Sequence, residues 1–234
     1  MQASYSTVRD LLQSVRDEIR RSALSAGRSP DDVELVAVSK THPVEAIRQA
    51  WEVGQRAFGE SYAQELAAKM PASEGLTDIR YHFIGHLQTN KVKLVVGNVS
   101  VIHTVDRPSL IHALGQRAQE LGIVQDVLLE VHLSPEMSKS GASPESVALL
   151  LSLIREYPSL CPRGLMTMPP YTEDPEGARP YFRTLRELRD HLARTLGLPG
   201  FRHLSMGMSH DYDVAIQEGA TLVRIGTAIF GSRA

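Results

Sequence analysis

The chain has 234 residues, 42% of them apolar and 22% charged, with a formal net charge of -2. That length is enough for one large core, the composition is that of an ordinary globular protein, and the charge gives no electrostatic basis for a nucleic-acid or anionic-membrane partner. Cys161 is the single cysteine, so no disulfide forms within the chain; no apolar run reaches a membrane span, and Asp10, Asp17 and Glu18 argue against a transit peptide, which together point to the cytoplasm.

Ser6 is placed to cap a first helix, in which Val8, Leu11, Leu12, Val15 and Ile19 recur at helical spacing until Gly27 and Ser29-Pro30 end it. Strand and helix signals then alternate. Leu35–Ser39 is a buried strand ending on Lys40, and Pro43 opens a helix through Ile47 and Trp51. A short strand over Arg56–Phe58 precedes a helix running towards Met70. Tyr81–Ile84 leads to a helix over Gln88–Val96, Val99–Thr104 to one over Pro108–Leu121, and Asp126–His132 to one over Pro144–Glu156. The short strand Gly164–Met166 is followed by a long helix from Glu176 to about Leu196. His203-Leu204 is followed by a helix from about Asp211 to Glu218, and Leu222–Ile225 is the eighth strand. Eight βα units with short connections and no dividing linker predict an α/β fold, a (β/α)8 TIM barrel with an extra N-terminal helix, as a single domain over residues 1–234.

In such a barrel, ligands gather where strands end, and phosphate sits in the loops after the last two strands. Those loops here are Ser205-Met206-Gly207-Met208-Ser209 and Arg224-Ile225-Gly226-Thr227. Gly207 and Gly226 allow backbone N–H groups to approach an anion, and the Ser205 and Thr227 hydroxyls can donate to it. The plainer reading makes Ser209 a helix cap and Gly226 a turn. A lysine ending the first strand and facing a phosphate pocket suggests a phosphorylated carbonyl compound held as a Schiff base. Pyridoxal 5'-phosphate fits, and so does a sugar phosphate. His82 and His86 are four apart, but a strand and the Gly85 turn separate them, so they are not expected to share a metal. Cys161 is expected to be a structural thiol, and Met166, Met168, Met206 and Met208 to pack the barrel mouth.

Several motifs resemble the pyridoxal phosphate homeostasis protein family. They are Val38-Ser39-Lys40-Thr41, Phe58-Gly59-Glu60-Ser61-Tyr62, His82-Phe83-Ile84-Gly85-His86-Leu87-Gln88 and His103-Thr104-Val105-Asp106-Arg107 in the first half. Lys139-Ser140-Gly141, Gly164-Leu165-Met166, the Leu204–Ser209 run and the Val223–Gly231 run follow in the second. The resemblance implies a barrel like the N-terminal domain of alanine racemase, with pyridoxal 5'-phosphate on Lys40 as a Schiff base. It implies that Ser205, Gly226 and Thr227 hold the phosphate, that Arg224 faces the pyridine nitrogen, and that Lys139 lies near the phenolic oxygen. Met206 and Ser61 join the cofactor-binding positions through the same motifs, although Ser61 stands where the family usually has Asn. The implied role is intracellular vitamin B6 homeostasis, buffering the cofactor or delivering it to apo-enzymes, without a dedicated reaction. The expected partners are the cofactor and those apo-enzymes, with no nucleic acid and no membrane, and the expected state is a monomer.

The runner-up is an amino-acid racemase, which needs an acid–base group on each ligand face. Lys40 serves one; for the other, Tyr62 and Tyr171 are the candidates, and the chain ends at Ala234 without the extra β domain of the racemases it resembles. A third reading is a signalling or scaffold barrel that needs no cofactor, against which the lysine and the phosphate loops both count.

Overall fold

A computed structural model describes residues 7–134 and 140–231. Thr7 caps the first helix, α1 (Val8–Ser25), through a reciprocal pair with Asp10; Ser6 lies outside the described residues. Strands β1 (Glu34–Val38), β2 (Ala57–Glu60), β3 (Arg80–Phe83) and β4 (Val101–Val105) are followed by β5 (Gln125–Glu130), β6 (Leu160–Met166), β7 (His203–Ser205) and β8 (Leu222–Ile225). All are parallel, each pairs with the next, and β8 pairs back onto β1, closing the predicted barrel.

Helices α2 (Val44–Glu52), α3 (Ala63–Ala72), α4 (Val92–Val95), α5 (Pro108–Leu121), α6 (Pro144–Ile154), α7 (Arg179–Thr195) and α8 (Tyr212–Gln217) follow the first seven strands. After β8, among the described residues, comes the one-turn α9 (Thr227–Phe230), which the hydrophobic spacing did not predict. The apolar face of α1 packs against α8, α9 and α2, so the helix that precedes the barrel fills the outer layer where a full eighth helix would lie.

Strand alternation divides the apolar residues in two. Leu35, Ala37, Phe58, Tyr81, Phe83, Ile102, Leu129 and Leu165 point outward into the layer under the helices, while Val36, Ala57, Leu128, Met166 and Leu222 fill the barrel's interior. Two strands exceed the sequence reading. β2 runs on through Gly59 and Glu60, because a Cβ on Gly59 would stand 3.0 Å from Ile84 and 3.1 Å from Val36 inside the barrel. β6 begins at Leu160 and includes Pro162, beside a register shift against β5 where a proline is tolerated. The helix expected over Gln88–Val96 reduces to a 3-10 turn at Thr89–Lys91 and the single turn α4, consistent with the β-branched run Val92, Val95, Val96. Pro180 suits a first helical turn, so α7 starts at Arg179, after a 3-10 turn over Pro175–Ala178.

Candidate functional site

Lys40 leaves the C-terminal end of β1 and lines a cavity of about 240 Å³ at the barrel mouth. Arg224 on β8, Gly226, Thr227 at the start of α9, and Ser209 beyond β7 line it with Lys40. Val38, Ile84, Met168 and Met208 supply the apolar wall, and His42 and His210 complete the rim. Among the described residues no carboxylate lines this cavity, which carries a lysine and an arginine. The Thr227 hydroxyl donates to Ser209 Oγ at 3.1 Å, so the loops after β7 and β8 meet there. Thr227 opens a helix whose first N–H groups have no intrahelical partner, and a Cβ on Gly226 would press within 3.2 Å of the Val38 carbonyl. Together these groups place hydroxyl and backbone donors side by side at the mouth.

Arg224 is only 4% exposed. Its Nη1 donates to Ser205 Oγ at 2.6 Å and its Nη2 to the Thr167 carbonyl at 3.0 Å. Burial pushes the guanidinium down to about 10, opposed by the charges of Asp211 and Glu130, so it remains a cation at neutral pH. Ser205 Oγ also pairs with His103 Nδ1 at 2.8 Å, and His103 Nε2 with His82 Nδ1 at 3.0 Å. Burial holds His82 down to about 4 and His103 well below the usual imidazole range. One proton assignment satisfies the row: Ser205 donates to His103, and His103 donates from Nε2 to His82. The upper barrel interior is thus a neutral polar row ending on one buried cation.

The sequence-predicted residues separate accordingly. Lys40, Arg224, Gly226 and Thr227 come together at the mouth. Ser205 is fully buried beneath it, its hydroxyl bound to Arg224 and His103. Met206 faces the outer core under the helices, not the mouth. Gly207, at φ 92°, serves close packing: a Cβ there would stand 2.6 Å from Ala215 on α8. Ser61 lines a separate small groove with Tyr62, His86, Gln88 and Lys91. Lys139 lies outside the described residues. Sequence reasoning gave Ser209 as a possible helix cap, but Asp211 occupies that position and Ser209 faces the cavity. His103 stood in a quoted motif without a role. His82 is buried against His103 while His86 is exposed, and no metal-ligand cluster occurs among the described residues. Cys161 is half-buried.

The backbone around Lys40 is held from the neighbouring βα unit. Ser39 Oγ donates to Glu60 Oε1 at 2.7 Å, and Lys69 Nζ donates to the Ser39 carbonyl at 2.7 Å and to Glu60 Oε1 at 2.8 Å. Burial raises the Glu60 carboxyl above its ordinary range despite the Lys69 ammonium.

Residues 12–234 match the family described as alanine racemase, N-terminal domain. A pyridoxal phosphate homeostasis protein of Aquifex aeolicus is 48% identical over 95% of this chain and 96% of its own length. One from Escherichia coli is 42% identical over 95% of each. The solved structure of PipY from Synechococcus elongatus with PLP bound superposes with a TM-score of 0.86 at 34% identity, covering 96% of this chain and all of that one. An alanine racemase of Clostridium difficile superposes with a TM-score of 0.70 at 16% identity over 95% of this chain and 57% of its own, a likeness of fold.

Proposed function

The chain belongs to the pyridoxal phosphate homeostasis protein family, within the alanine racemase N-terminal domain group, and on that premise we propose that it binds pyridoxal 5'-phosphate on Lys40 and serves to store and release it. The observation that carries the reading is the mouth cavity, which sets Lys40 and Arg224 beside Ser209, Gly226 and Thr227, with no carboxylate among the described residues that line it. When bound, the cofactor supplies an aldehyde that condenses with a primary amine, releasing one water.

Each lining group then has a task. Lys40, on the cavity wall, would supply the primary amine that holds the aldehyde. Thr227, Ser209 and the backbone at Gly226 would hold the phosphate oxygens. Arg224, a cation at neutral pH, would disfavour a proton on the pyridine nitrogen and so weaken the electron sink that amino-acid chemistry needs. Ser205 and His103 act one step back, by holding Arg224. The apolar wall of Val38, Ile84, Met168 and Met208 packs against the ring.

A racemase needs a second proton donor opposite the lysine. Of the two tyrosines considered for it, Tyr62 lies on the separate groove, and Tyr171 is 78% exposed on the outer rim, stacked on His210. Storage therefore accounts for more of the geometry. No helix among the described residues is long and apolar enough to cross a membrane. The test is an absorption spectrum of protein loaded with pyridoxal 5'-phosphate, before and after borohydride, followed by transfer to an apo-enzyme. A visible band that borohydride bleaches onto Lys40, with cofactor recovered in the apo-enzyme, supports the reading. A loaded protein that turns over alanine at about 10 s⁻¹, an ordinary enzyme rate, would replace storage by racemisation.

A further inference from the structure

Thr41, directly after Lys40, has φ 65°; it and Asp78 are the two non-glycine residues with positive φ among the described residues. The left-handed region is unfavourable for an L-residue, and a β-branched side chain makes it an outlier. Such a conformation persists only where its surroundings over-determine it, and it is a feature of functional turns. Here the surroundings are specific. The Thr41 N–H donates to Glu65 Oε1 at 2.6 Å, and the same oxygen is 2.7 Å from Lys69 Nζ. Lys69, 6% exposed, also donates to the Ser39 carbonyl. The two peptides flanking Lys40 are thus gripped by one ion pair on α3. Neither Glu65 nor Lys69 lines the mouth cavity. Fold stability alone is a weak reason to bury this ammonium, since apolar replacements of buried ion pairs are often neutral or stabilising.

We infer that Glu65, oriented by Lys69, is a positioning residue for Lys40: it fixes the strained Ser39–Thr41 turn that aims the amine, and so sets the rate at which the protein captures its aldehyde ligand. The inference rests on the reading of Lys40 given above. The role is geometric and needs an oxygen at one place, whatever its charge. A carboxamide oxygen at position 65 can accept from both Thr41 N–H and Lys69, whereas an aspartate keeps the charge but withdraws the oxygen by one methylene.

The test follows the growth of the visible band after mixing each protein with pyridoxal 5'-phosphate, across pH 6–10, with a thermal melt of each variant. Glu65→Asp and Glu65→Ala should slow capture by about 10–100-fold, the scale of a misplacement near 1 Å, by the same factor at every pH. Glu65→Gln should stay close to the wild-type rate. Because Asp and Gln are conservative at a partly exposed position, the comparison stands even where the alanine variant folds poorly. Equal rates for Glu65→Asp and wild type overturn the inference, as does a Glu65→Gln variant as slow as Glu65→Ala, which would make charge the cause. If the wild-type protein forms no borohydride-reducible adduct on Lys40, the underlying reading fails and takes the inference with it; a normal adduct with indifferent variants removes the inference alone.

Discussion

The barrel gathers cations at both ends, and treats them differently. At the floor, where the strands begin, Arg16, Arg56 and Arg80 line an open groove of about 480 Å³. Arg16 donates to the Val53 carbonyl and Gln55, Arg56 to the Trp51 carbonyl while lying over the Trp51 ring, and Arg80 pairs with Glu34. At the mouth a smaller cavity keeps Arg224 fully inside, on one neutral hydroxyl and one carbonyl, with Lys40 beside it. The floor's larger groove closes loops onto strands. The mouth keeps a charge in a dry place, which is expensive unless a ligand of opposite sign completes it. Size and number of cations do not separate the two ends; the burial of an incompletely neutralised cation does.

The sharpest break of that comparison is at Lys40. With one equivalent of pyridoxal 5'-phosphate and borohydride, peptide mapping should find the label on Lys40 in the wild type, and Lys40→Ala should take up none on the wild-type time scale. Label on Lys69 of α3 or Lys93 of α4 instead would take the ligand away from the mouth and dissolve the distinction between the ends.

Next comes pH. Folding holds His82 down to about 4 from the ordinary 6.5, so between those values the unfolded chain binds a proton that the folded one refuses. Stability from this source is complete above pH 6.5 and lost on acidification, by up to about 3 kcal/mol near pH 4. The upward-shifted carboxyls of Glu60, Glu130 and Asp211 work in the opposite sense over the acid range, because the folded state holds their protons more tightly. The informative quantity is therefore a difference: Tm should fall less steeply with acid in His82→Gln than in the wild type. Parallel slopes would mean that the row beneath Arg224 is not held neutral.

A smaller effect is expected at Thr227. Thr227→Val should weaken pyridoxal 5'-phosphate binding roughly tenfold, the loss of one hydrogen bond to a charged group, and leave pyridoxal binding nearly unchanged. Equal losses in a titration of both ligands would take Thr227 out of the phosphate cradle. Smallest of all is the floor: Arg80→Ala should change stability by less than about 1 kcal/mol, because both partners of its ion pair are solvent-exposed, and should leave ligand binding alone. A large loss of binding from that variant would join the two ends into one system.

The barrel was legible in the sequence because apolar runs and helical spacing alternate eight times, and the strand ends placed Lys40, Arg224, Gly226 and Thr227 without further help. Ser205 and Ser209 were harder to assign. β7 has three residues, too few to show which face a side chain takes, and the two serines differ only in lying on the strand or past it. The partner settles it: Ser205 takes the Arg224 guanidinium inside, and Ser209 meets Thr227 at the mouth. Gly59 and Glu60 lie beyond the strand read over Arg56–Phe58, since a glycine and a charge give no strand signal, whereas the barrel interior needs the missing Cβ and Lys69 pairs with Glu60 Oε1. His103 carried no local signal, since its partners lie 21 and 102 positions away.

The place of α1 beside α8 and α9 has a consequence for how the protein comes into being. Helix α1, which precedes β1, packs on the turn that follows β8, and β1 finds its second neighbour only when β8 exists. During vectorial synthesis the early segments emerge with one flank bare, and closure waits on contacts spanning nearly the whole chain, a topology that folds late. Gly226 and Thr227, proposed above to hold the phosphate, follow β8 directly. A ribosome-bound chain halted before β8 should therefore acquire helices without retaining pyridoxal 5'-phosphate, so that cofactor uptake marks a finished barrel.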